Sequence, residues 1–321
     1  MKRIGIVGAG IAGLTAARLL SASGHDVTVW DKGRRPGGRA SSRRSPAAFD
    51  HGAQYFTARD PRFRAQVDEW RAAGVVAPWN PRIRTPRDGD TRFVGVPGMN
   101  AAAEHLARGL DVRSGVRIAD VTRNGTEWLL RDDSGVRVQQ ADTVLITTPP
   151  AQAVPLLSLA PDLAARAAAC TLQPCWAVML EFNDRLPVDF DAAFVRSGPL
   201  SWVARNSSKP GRAARETWVL HASAAWSREH LEEPKPSVIR ELVRAFFHEA
   251  GTEEVRPEHA DAHRWRFAIP DNPYEDLSFH DPELDIGVGG DWCAGARIEG
   301  AYLSGRSLAE AADRPVRPAS G

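Results

Sequence analysis

The feature that most constrains this chain is the triplet Gly8-x-Gly10-x-x-Gly13, set between a β-like run, Arg3 to Val7, and a helical pattern from Ile11 to Ala22. In that context each glycine has a separate reason. Gly8 allows the tight turn, Gly10 lets the backbone approach a pyrophosphate, and Gly13 lets the helix pack closely on the strand. The helix N-terminus, with Ile11 and Ala12 in its first turn, then offers free N–H groups and a positive dipole end to phosphates. A second strand follows over Asp26 to Trp30. It ends at Asp31, 18 residues after Gly13, where an acidic side chain can accept hydrogen bonds from an adenosine ribose. These residues specify a dinucleotide but do not separate NAD from FAD.

A second glycine cluster makes that choice. Asp31-Lys32-Gly33-Arg34-Arg35-Pro36-Gly37-Gly38-Arg39 follows the second strand at once. Paired glycines with Gly38 next to Arg39 can lay another turn and a guanidinium against a pyrophosphate, with Lys32 close by. Dinucleotide domains built for NAD do not usually carry it, so the expected cofactor is FAD.

The rest of the chain is consistent with a nucleotide domain built from both chain ends around a β-rich middle. Asp60-Pro61 reads as an N-cap with proline at the first helical position, opening a helix that runs to Gly74. Residues 75–98, rich in Pro, Gly and Arg, read as irregular. A helix is expected over Asn100 to Gly109, then strands at 111–113 and 115–122 and a meander through TEWLLRD, VRVQQ and TVLITTPP. A helix over 151–168 precedes a stretch of partial period-2 alternation from 172 to 225. Pro236 to Gly251 is amphipathic with helical period. A strand in LDIGVGGDW and a helix from Gly300 to Ala312 end the pattern. The fold class is therefore α/β, with a Rossmann-like FAD-binding domain and an inserted substrate domain of mixed β-sheet plus helix. The expected division assigns 1–59, 97–155 and 271–313 to the FAD-binding domain, 60–96 and 156–270 to the substrate domain, and 314–321 to a flexible tail.

Composition narrows the partners. Lys+Arg total 41 against 40 Asp+Glu, a net charge of +1, which provides no global field for nucleic acid or an anionic membrane. Of the 41 cations only Lys2, Lys32, Lys209 and Lys235 are lysine, leaving 37 arginines. The three cysteines, Cys170, Cys175 and Cys293, show no CxxC spacing, and a reducing cytoplasm is the expected location. The first residues could pass for a signal peptide, but cleavage there would delete the glycine triplet, so they are read as retained. No apolar run reaches the roughly 18 residues a membrane span requires. His25, His51 and His105 have no ligand-like spacing, and no metal is expected.

Longer motifs carry a resemblance. GAGIAG at 8–13, DKGRRPGGR at 31–39, DHGAQYFTARD at 50–60, WVARNSSKP at 202–210 and GDWCAGARIEGAYLSG at 290–305 are spread along nearly the whole chain. With these the chain resembles the flavin amine oxidase superfamily, the two-dinucleotide-binding-domain flavoproteins, and within it the bacterial-type renalases. The resemblance implies that Ala53 and Gln54 border the flavin and that Tyr55, Phe56, Thr57, Ala58 and Arg59 face the substrate. From the residues alone, Tyr55 and Phe56 also read as core packing. Val116 and Ile118 match the segment whose backbone meets the adenine, and Asp291 would bind the ribityl or pyrophosphate region. Trp292 would wall the substrate site, and Arg297 and Ile298 would lie at the flavin's pyrimidine edge. There a helix N-terminus favours the reduced ring's negative charge. Glu299 reads equally as an ordinary first-turn residue. The resemblance implies non-covalent FAD, with Cys293 unattached. Cys175 departs from it, standing where a small hydroxyl residue near the substrate is expected. The stretch before Phe93-Val94-Gly95 is also shorter than in similar chains.

The middle of the chain sets polar groups among tryptophans: Trp202 with Arg205 and Asn206, Trp218 with His221, and His263 with Arg264 and Trp265. That surface suits a polar, phosphate-bearing, stackable ligand better than an apolar amine. Individually these residues also have structural readings, His221 as a core histidine and Arg205 as a surface or ion-pair arginine. The function implied by the resemblance is an FAD-dependent oxidase that converts the 2-dihydro and 6-dihydro isomers of NAD(P)H to NAD(P)+. Hydride would pass to the flavin and O2 would be reduced to hydrogen peroxide. Losing hydride restores an aromatic pyridinium, so no residue is assigned as acid or base. The alternatives are a flavin amine oxidase or desaturase-like enzyme on an apolar substrate, and a flavin redox sensor without turnover. The expected partners are a small-molecule dinucleotide substrate and O2, with no nucleic acid or membrane, on a monomer or dimer.

Overall fold

The computed structural model describes residues 1–43, 47–84 and 89–314. The expected tail lies outside the described residues from 315 on. The chain divides into two compact units. The first joins Met1–Gly38, Ala103–Leu172 and the chain from Pro270 on, and the second joins Arg39–Ala102 and Gln173–Ile269.

The first unit is built on a six-stranded sheet in the order Ser278–Asp281, Ile286–Gly289, Thr143–Ile146, Arg3–Val7, Asp26–Asp31, Asp111–Ser114. Every pairing is parallel except that of the edge strand Ser278–Asp281, which runs antiparallel to its neighbour. The central strand Arg3–Val7 is buried from Ile4 onward, as its apolar sequence requires in a parallel sheet. From it the chain steps to Asp26–Asp31 on one side, while Thr143–Ile146 lies on the other. Gly8 therefore leaves the sheet at the carboxyl end of a switch-point strand, where open α/β sheets bind ligands. The helix Ile11–Ala22 crosses the helix Ile298–Ala312 in near backbone contact. A Cβ on Gly305 would come within 2.2 Å of the Ala12 carbonyl oxygen. A separate three-stranded antiparallel sheet, Ile118–Asn124, Glu127–Asp132 and Arg137–Ala141, adds Trp128 and Leu130 to the same apolar core as Val144, Ile146 and Val288.

The second unit has its own six-stranded sheet, ordered His259–Pro270, Leu172–Phe182, Glu216–Ala222, Leu200–Arg205, Ala192–Phe194, Ile83–Arg84. The amphipathic helix expected over Pro236 to Gly251 runs from Lys235 to Ala250 and closes with Gly251 in the left-handed conformation. Its buried Val238, Leu242, Val243, Phe246 and Phe247 cover Val178, Leu180, Trp218 and Leu220 of the sheet. Each such side chain removed from water contributes about 1.5–3 kcal/mol. The helix Pro61–Ala72 begins as expected, with the Asp60 carboxylate accepting from the Arg62 N–H. Its Phe63 and Trp70 meet Phe56 and Phe93 in a closed aromatic group.

Several expectations are corrected. The stretch 75–98, read as irregular, holds strands Val76–Trp79, Ile83–Arg84 and Arg92–Gly95, the first and last paired antiparallel. Residues 85–88 within it lie outside the described residues. The helix expected over 151–168 is split into Pro150–Ala153, a 3-10 turn over Val154–Leu157, and Pro161–Ala169. Pro155 and Pro161 deny the backbone donors a continuous helix needs. TVLITTPP does not continue the meander. Its strand Thr143–Ile146 pairs in parallel with Ile4 to Val7 instead. The strand expected over 115–122 runs from Ile118 to Asn124, and the long strand His259–Pro270 had no counterpart in the expected pattern. The first unit also ends at Gly38 rather than at 59. Residues 39–59 belong to the second unit because Arg39, Gly52 and Asp50 are bonded or packed there, to Ala268, Trp265 and Lys209. For the same reason of contact, 97–102 belongs to the second unit and 156–172 to the first.

Candidate functional site

In the first unit the two glycine turns come together. Gly8 has φ +113, a conformation that side chains rarely adopt, and a Cβ on Gly13 would sit 2.0 Å from the Gly8 carbonyl oxygen. Gly10 is different, with no protein atom within 4 Å of where its Cβ would be. Gly37 donates its N–H to the Ala9 carbonyl at 2.8 Å, and a Cβ on Gly38 would lie 3.8 Å from the Gly10 Cα. The second glycine turn thus lies over the first. Gly10 caps the helix Ile11–Ala22, which has no side-chain cap and no acidic residue in its first turn. Its first-turn N–H groups, including those of Ile11 and Ala12, are left for an anion.

Asp31 accepts the Ala9 N–H on one oxygen and the Gly33 N–H on the other, both at 2.6 Å. Burial lifts its pKa above the usual carboxylate range, against the pull of those two N–H groups. Val116 donates its N–H to the Asp31 carbonyl at 3.0 Å, which brings the expected adenine segment to this turn. Ile118 packs in the apolar core. Lys32 reaches Gln152 at 2.9 Å. Arg39 does not join this group within the unit, since its guanidinium donates to Ala268 O at 3.1 Å in the second unit.

The segment after Ile286–Gly289 makes a tight loop, with Ala296 donating to the Asp291 carbonyl at 2.8 Å and Ala296 itself at φ 50. Arg297 caps the helix Ile298–Ala312 without a side-chain bond. Trp292, expected to wall the substrate site, is instead fully buried in the first unit's core near Tyr274 and Phe279.

The second unit holds a buried polar centre that the sequence reading did not single out. The Asp50 carboxylate accepts from Lys209 Nζ at 3.0 Å, Arg212 Nη2 at 2.5 Å, Ser42 Oγ at 2.7 Å and the Met99 N–H at 2.9 Å. The side chains of Asp50, Lys209 and Arg212 are all but excluded from solvent. Burial alone would raise Asp50, but the two cations prevail and hold it at about 2. Gln54 is buried beside them. It donates Nε2 to the carbonyls of Asp50 and Gly52, and its Oε1 accepts from Lys209 at 3.3 Å. The only available signal lay in composition: Lys209 is one of four lysines in an arginine-rich chain.

Around this centre Tyr55 meets Trp202 at 5.6 Å and Trp79 at 6.2 Å between ring centres, and Trp202 meets Phe194 at 4.6 Å. Arg92 lies 5.2 Å from the Tyr55 ring centre and Lys209 5.6 Å from that of Trp79. Ala53 donates its N–H to the Arg39 carbonyl at 2.9 Å. Thr57 and Ala58 are half-buried, and Arg59 is exposed and paired with Asp90. Phe56 proves to be core, packed against Phe63, Trp70 and Phe93. Asn206, expected at the substrate, is fully buried with its side chain committed to the Ala48 carbonyl and the Asp50 N–H. Cys175 is likewise buried, its thiol turned to the Ala222 carbonyl and pushed up to about 12 by burial. Neither is free to meet a ligand. Arg205 is a buried ion-pair arginine, with Glu216 at 3.5 Å and Asp191 at 3.8 Å.

Three histidines gather nearby. His51 meets His263 at 4.8 Å and Trp265 at 5.1 Å between ring centres, and His221 Nε2 lies 3.2 Å from the His51 carbonyl. Burial foremost depresses all three from 6.5, His51 to about 3 and His221 and His263 to about 4, with Arg43 adding to the effect on His51 and His263. All are neutral at pH 7. The unfolded chain therefore binds more protons than the folded one between pH 6.5 and 4. Stability is full above 6.5 and falls as pH drops through that window. His51 and His221 together are expected to steepen the fall by about 2–3 kcal/mol per pH unit. His263, more open to solvent, adds a screened fraction. Urea denaturation at pH 7, 6 and 5 checks this, and an unchanged midpoint at pH 5 would contradict it.

Among the described residues no group of three His, Cys, Asp or Glu could hold a metal ion, and no helix is long and apolar enough to cross a membrane. Residues 6–70 match the family model of NAD(P)-binding Rossmann-like domains, and residues 77–312 that of flavin containing amine oxidoreductases. The chain belongs to the flavin containing amine oxidoreductase family. Its cofactor is accordingly FAD, and the juxtaposed glycine turns, the uncapped helix start and the open space at Gly10 fit that group.

Curated relatives of this family member share a short segment with it, and the chain spans about a tenth of their length. An L-amino-acid oxidase of Daboia russelii is 52% identical over 44 residues, 14% of this chain and 9% of that protein. A hydroxyneurosporene desaturase of Rubrivivax gelatinosus is 50% identical over 58 residues, 18% of this chain and 11% of that protein. Solved structures match throughout. A protein of Exiguobacterium sp. 255-15 described as a protoporphyrinogen oxidase superposes with TM-score 0.79 at 15% identity, covering 96% of this chain and 98% of that one. Cyclohexylamine oxidase of Brevibacterium oxydans IH-35A gives 0.77 at 12% identity over 97% and 98%. At such identities the likeness concerns the fold.

Proposed function

We propose that the chain is an FAD-dependent oxidase of renalase type, acting on the 2-dihydro and 6-dihydro isomers of NAD(P)H. The observation that carries this reading is the placement of the second unit's cations. Arg92 lies over the half-buried Tyr55, so an aromatic face that would bind an ammonium substrate is already taken by the chain's own charge, and Lys209 adds a second cation over the buried Trp79. Rings backed by cations suit a neutral or anionic aromatic ligand with phosphates better than an amine.

When bound, FAD supplies the hydride acceptor and passes the electrons to O2 as hydrogen peroxide. The residues that would hold it are Gly8, Gly10, Gly13, Gly38 and Asp31, with the N–H groups of Ile11 and Ala12 at the phosphates. Lys32 and the backbone around Val116 lie at the same turn, and Asp291, Arg297 and Ile298 stand at the start of the last helix. Ala53 and Gln54 border the ring in this reading, and Tyr55 and Trp202 orient the substrate. No residue needs to take a proton from the substrate, because loss of hydride restores the pyridinium, and the one proton that peroxide formation consumes comes from solvent. The neutral state of His51, His221 and His263 at pH 7 is consistent with that. The three cysteines are buried and none is in a disulfide, which suits the cytoplasmic location read from the sequence.

A second reading, an amine oxidase, draws on the fold it shares with cyclohexylamine oxidase and on the close Tyr55–Trp202 pair. Anaerobic mixing of the FAD-loaded protein with borohydride-reduced NAD, a mixture of dihydro isomers, separates the two. Rapid bleaching of the flavin by the minor isomers, and not by pure 4-dihydro NADH, is expected. Bleaching by amines alone would replace the first reading with the second. A flavin that no donor bleaches would indicate a sensor.

A further inference from the structure

Gln54 is held from both ends. Its NH2 is committed to the carbonyls of Asp50 and Gly52, and its carbonyl turns to the Lys209 ammonium. The two ends of an amide have nearly the same shape, so packing alone does not choose between them. Reversed, Gln54 would point NH2 at an ammonium and a carbonyl at two carbonyls, and only its 3.5 Å contact with His221 Nε2 accommodates either end. A lysine suits this task better than the chain's commoner arginine. Its compact charge directs separate donors to Asp50 and Gln54, where a planar fork would demand a coplanar pair of acceptors.

We propose that Lys209 is a positioning residue that locks the Gln54 amide in one orientation and so sets the face that the loop around Gln54 presents to the flavin. The proposal rests on the reading that Gln54 borders the ring, but not on which donor reduces it. Asp50 provides the buried counter-charge to Lys209 and to Arg212, and neither ion pair involves Gln54, so both remain when Gln54 is altered. The charged and titratable groups facing Lys209 are Asp50, Arg212 and His221. Burial, with Arg212, brings Lys209 down to about 8 against the pull of Asp50, whereas Asp50 and His221 titrate at about 2 and about 4. Asp50 and His221 keep their charge between pH 6.5 and 9, whereas Lys209 releases its proton in that range.

The test uses the FAD-loaded protein and reads its visible absorbance, with no substrate present. Wild type is expected to show a band shift with a midpoint near pH 8. Lys209→Met is expected to lose that transition and to weaken FAD binding about tenfold, equivalent to ~1.4 kcal/mol. Gln54→Leu leaves the buried ion pair intact, and it too is expected to lose the transition although Lys209 still titrates. The double variant should be no worse than the weaker single one, because both remove the same link. A wild-type transition retained in Gln54→Leu, or losses that add in the double variant, would overturn the proposal. Should Lys209→Met fail to fold, the Gln54→Leu titration decides alone. Amine rather than dihydronicotinamide turnover would leave these spectra unaffected.

Discussion

Asp50→Ala is expected to destabilise the second unit by about 3–5 kcal/mol, the range found when one partner of a buried ion pair is removed. The carboxylate answers two cations, Lys209 at 3.0 Å and Arg212 at 2.5 Å, and also accepts from Ser42 and the Met99 N–H. Without it, two like charges face each other out of reach of water. Lys209 then relieves the strain by releasing its proton, so the loss should be smaller at pH 9 than at pH 7. Adding Lys209→Met to Asp50→Ala removes one of the two stranded charges and should recover part of the loss, since Arg212 keeps the carbonyls of Gly95 and Pro210. Acid acts on the same centre. Asp50 is held at about 2, below its usual 3.8, so its contribution is present above pH 3.8 and is lost as pH falls toward 2. Urea midpoints of the three proteins check this; a loss under 1 kcal/mol in Asp50→Ala would show that water reaches the group.

Gly13→Val and Gly10→Ala should divide what the fold needs from what the cofactor needs. At Gly13 the added Cβ would lie 2.0 Å from the Gly8 carbonyl oxygen and 2.7 Å from Thr147 Oγ1. The first is backbone of the turn itself and the second follows the neighbouring strand Thr143–Ile146, so the helix Ile11–Ala22 would have to move off the sheet. The expected product carries no flavin and melts at a markedly lower temperature, with or without added FAD. At Gly10 a methyl group meets no protein atom within 4 Å. The apoprotein should therefore keep its melting temperature, while FAD affinity falls at least about tenfold because the methyl occupies the space a pyrophosphate needs. Absorbance at the flavin band against protein absorbance, together with apoprotein melting, reads both. Undiminished FAD binding in Gly10→Ala would place the phosphates elsewhere.

The parts of the fold legible in the sequence are those whose causes are local. The strand Arg3–Val7, the helix Ile11–Ala22 and the cap at Asp60 follow from short-range pattern and turn chemistry, and their bounds agree with the structure. Thr143–Ile146 was visible as a strand but its partner was not, because pairing with Arg3–Val7 depends on chain far away in sequence. Val76–Trp79 and Arg92–Gly95 are four residues each, one interrupted by Pro78, too short for periodicity to show. His259–Pro270 hid because its two faces are both partly exposed and carry charge, which blurs alternation. At the site, glycine spacing exposed the nucleotide turn. The Asp50–Lys209–Arg212 centre joins two motifs 159 residues apart, and nothing local marks a carboxylate as buried. Asn206 and Cys175, expected at the substrate by position, are committed to packing, and Phe56 follows the core-packing reading.

The near contact of Gly305 with Ala12 bears on how the protein is made. The glycine turn is translated before the helix that must lie against it, which follows almost three hundred residues later. Until then the nascent chain exposes the apolar flank of Ile11–Ala22 and an unfinished sheet lacking Ile286–Gly289. FAD captured early would have only half its cradle, so cofactor loading belongs after the helix Ile298–Ala312 has been made. Any ribosome stalled before Gly305 yields a chain whose best-defined motif is its least protected surface, and that surface is where a holdase chaperone would be needed.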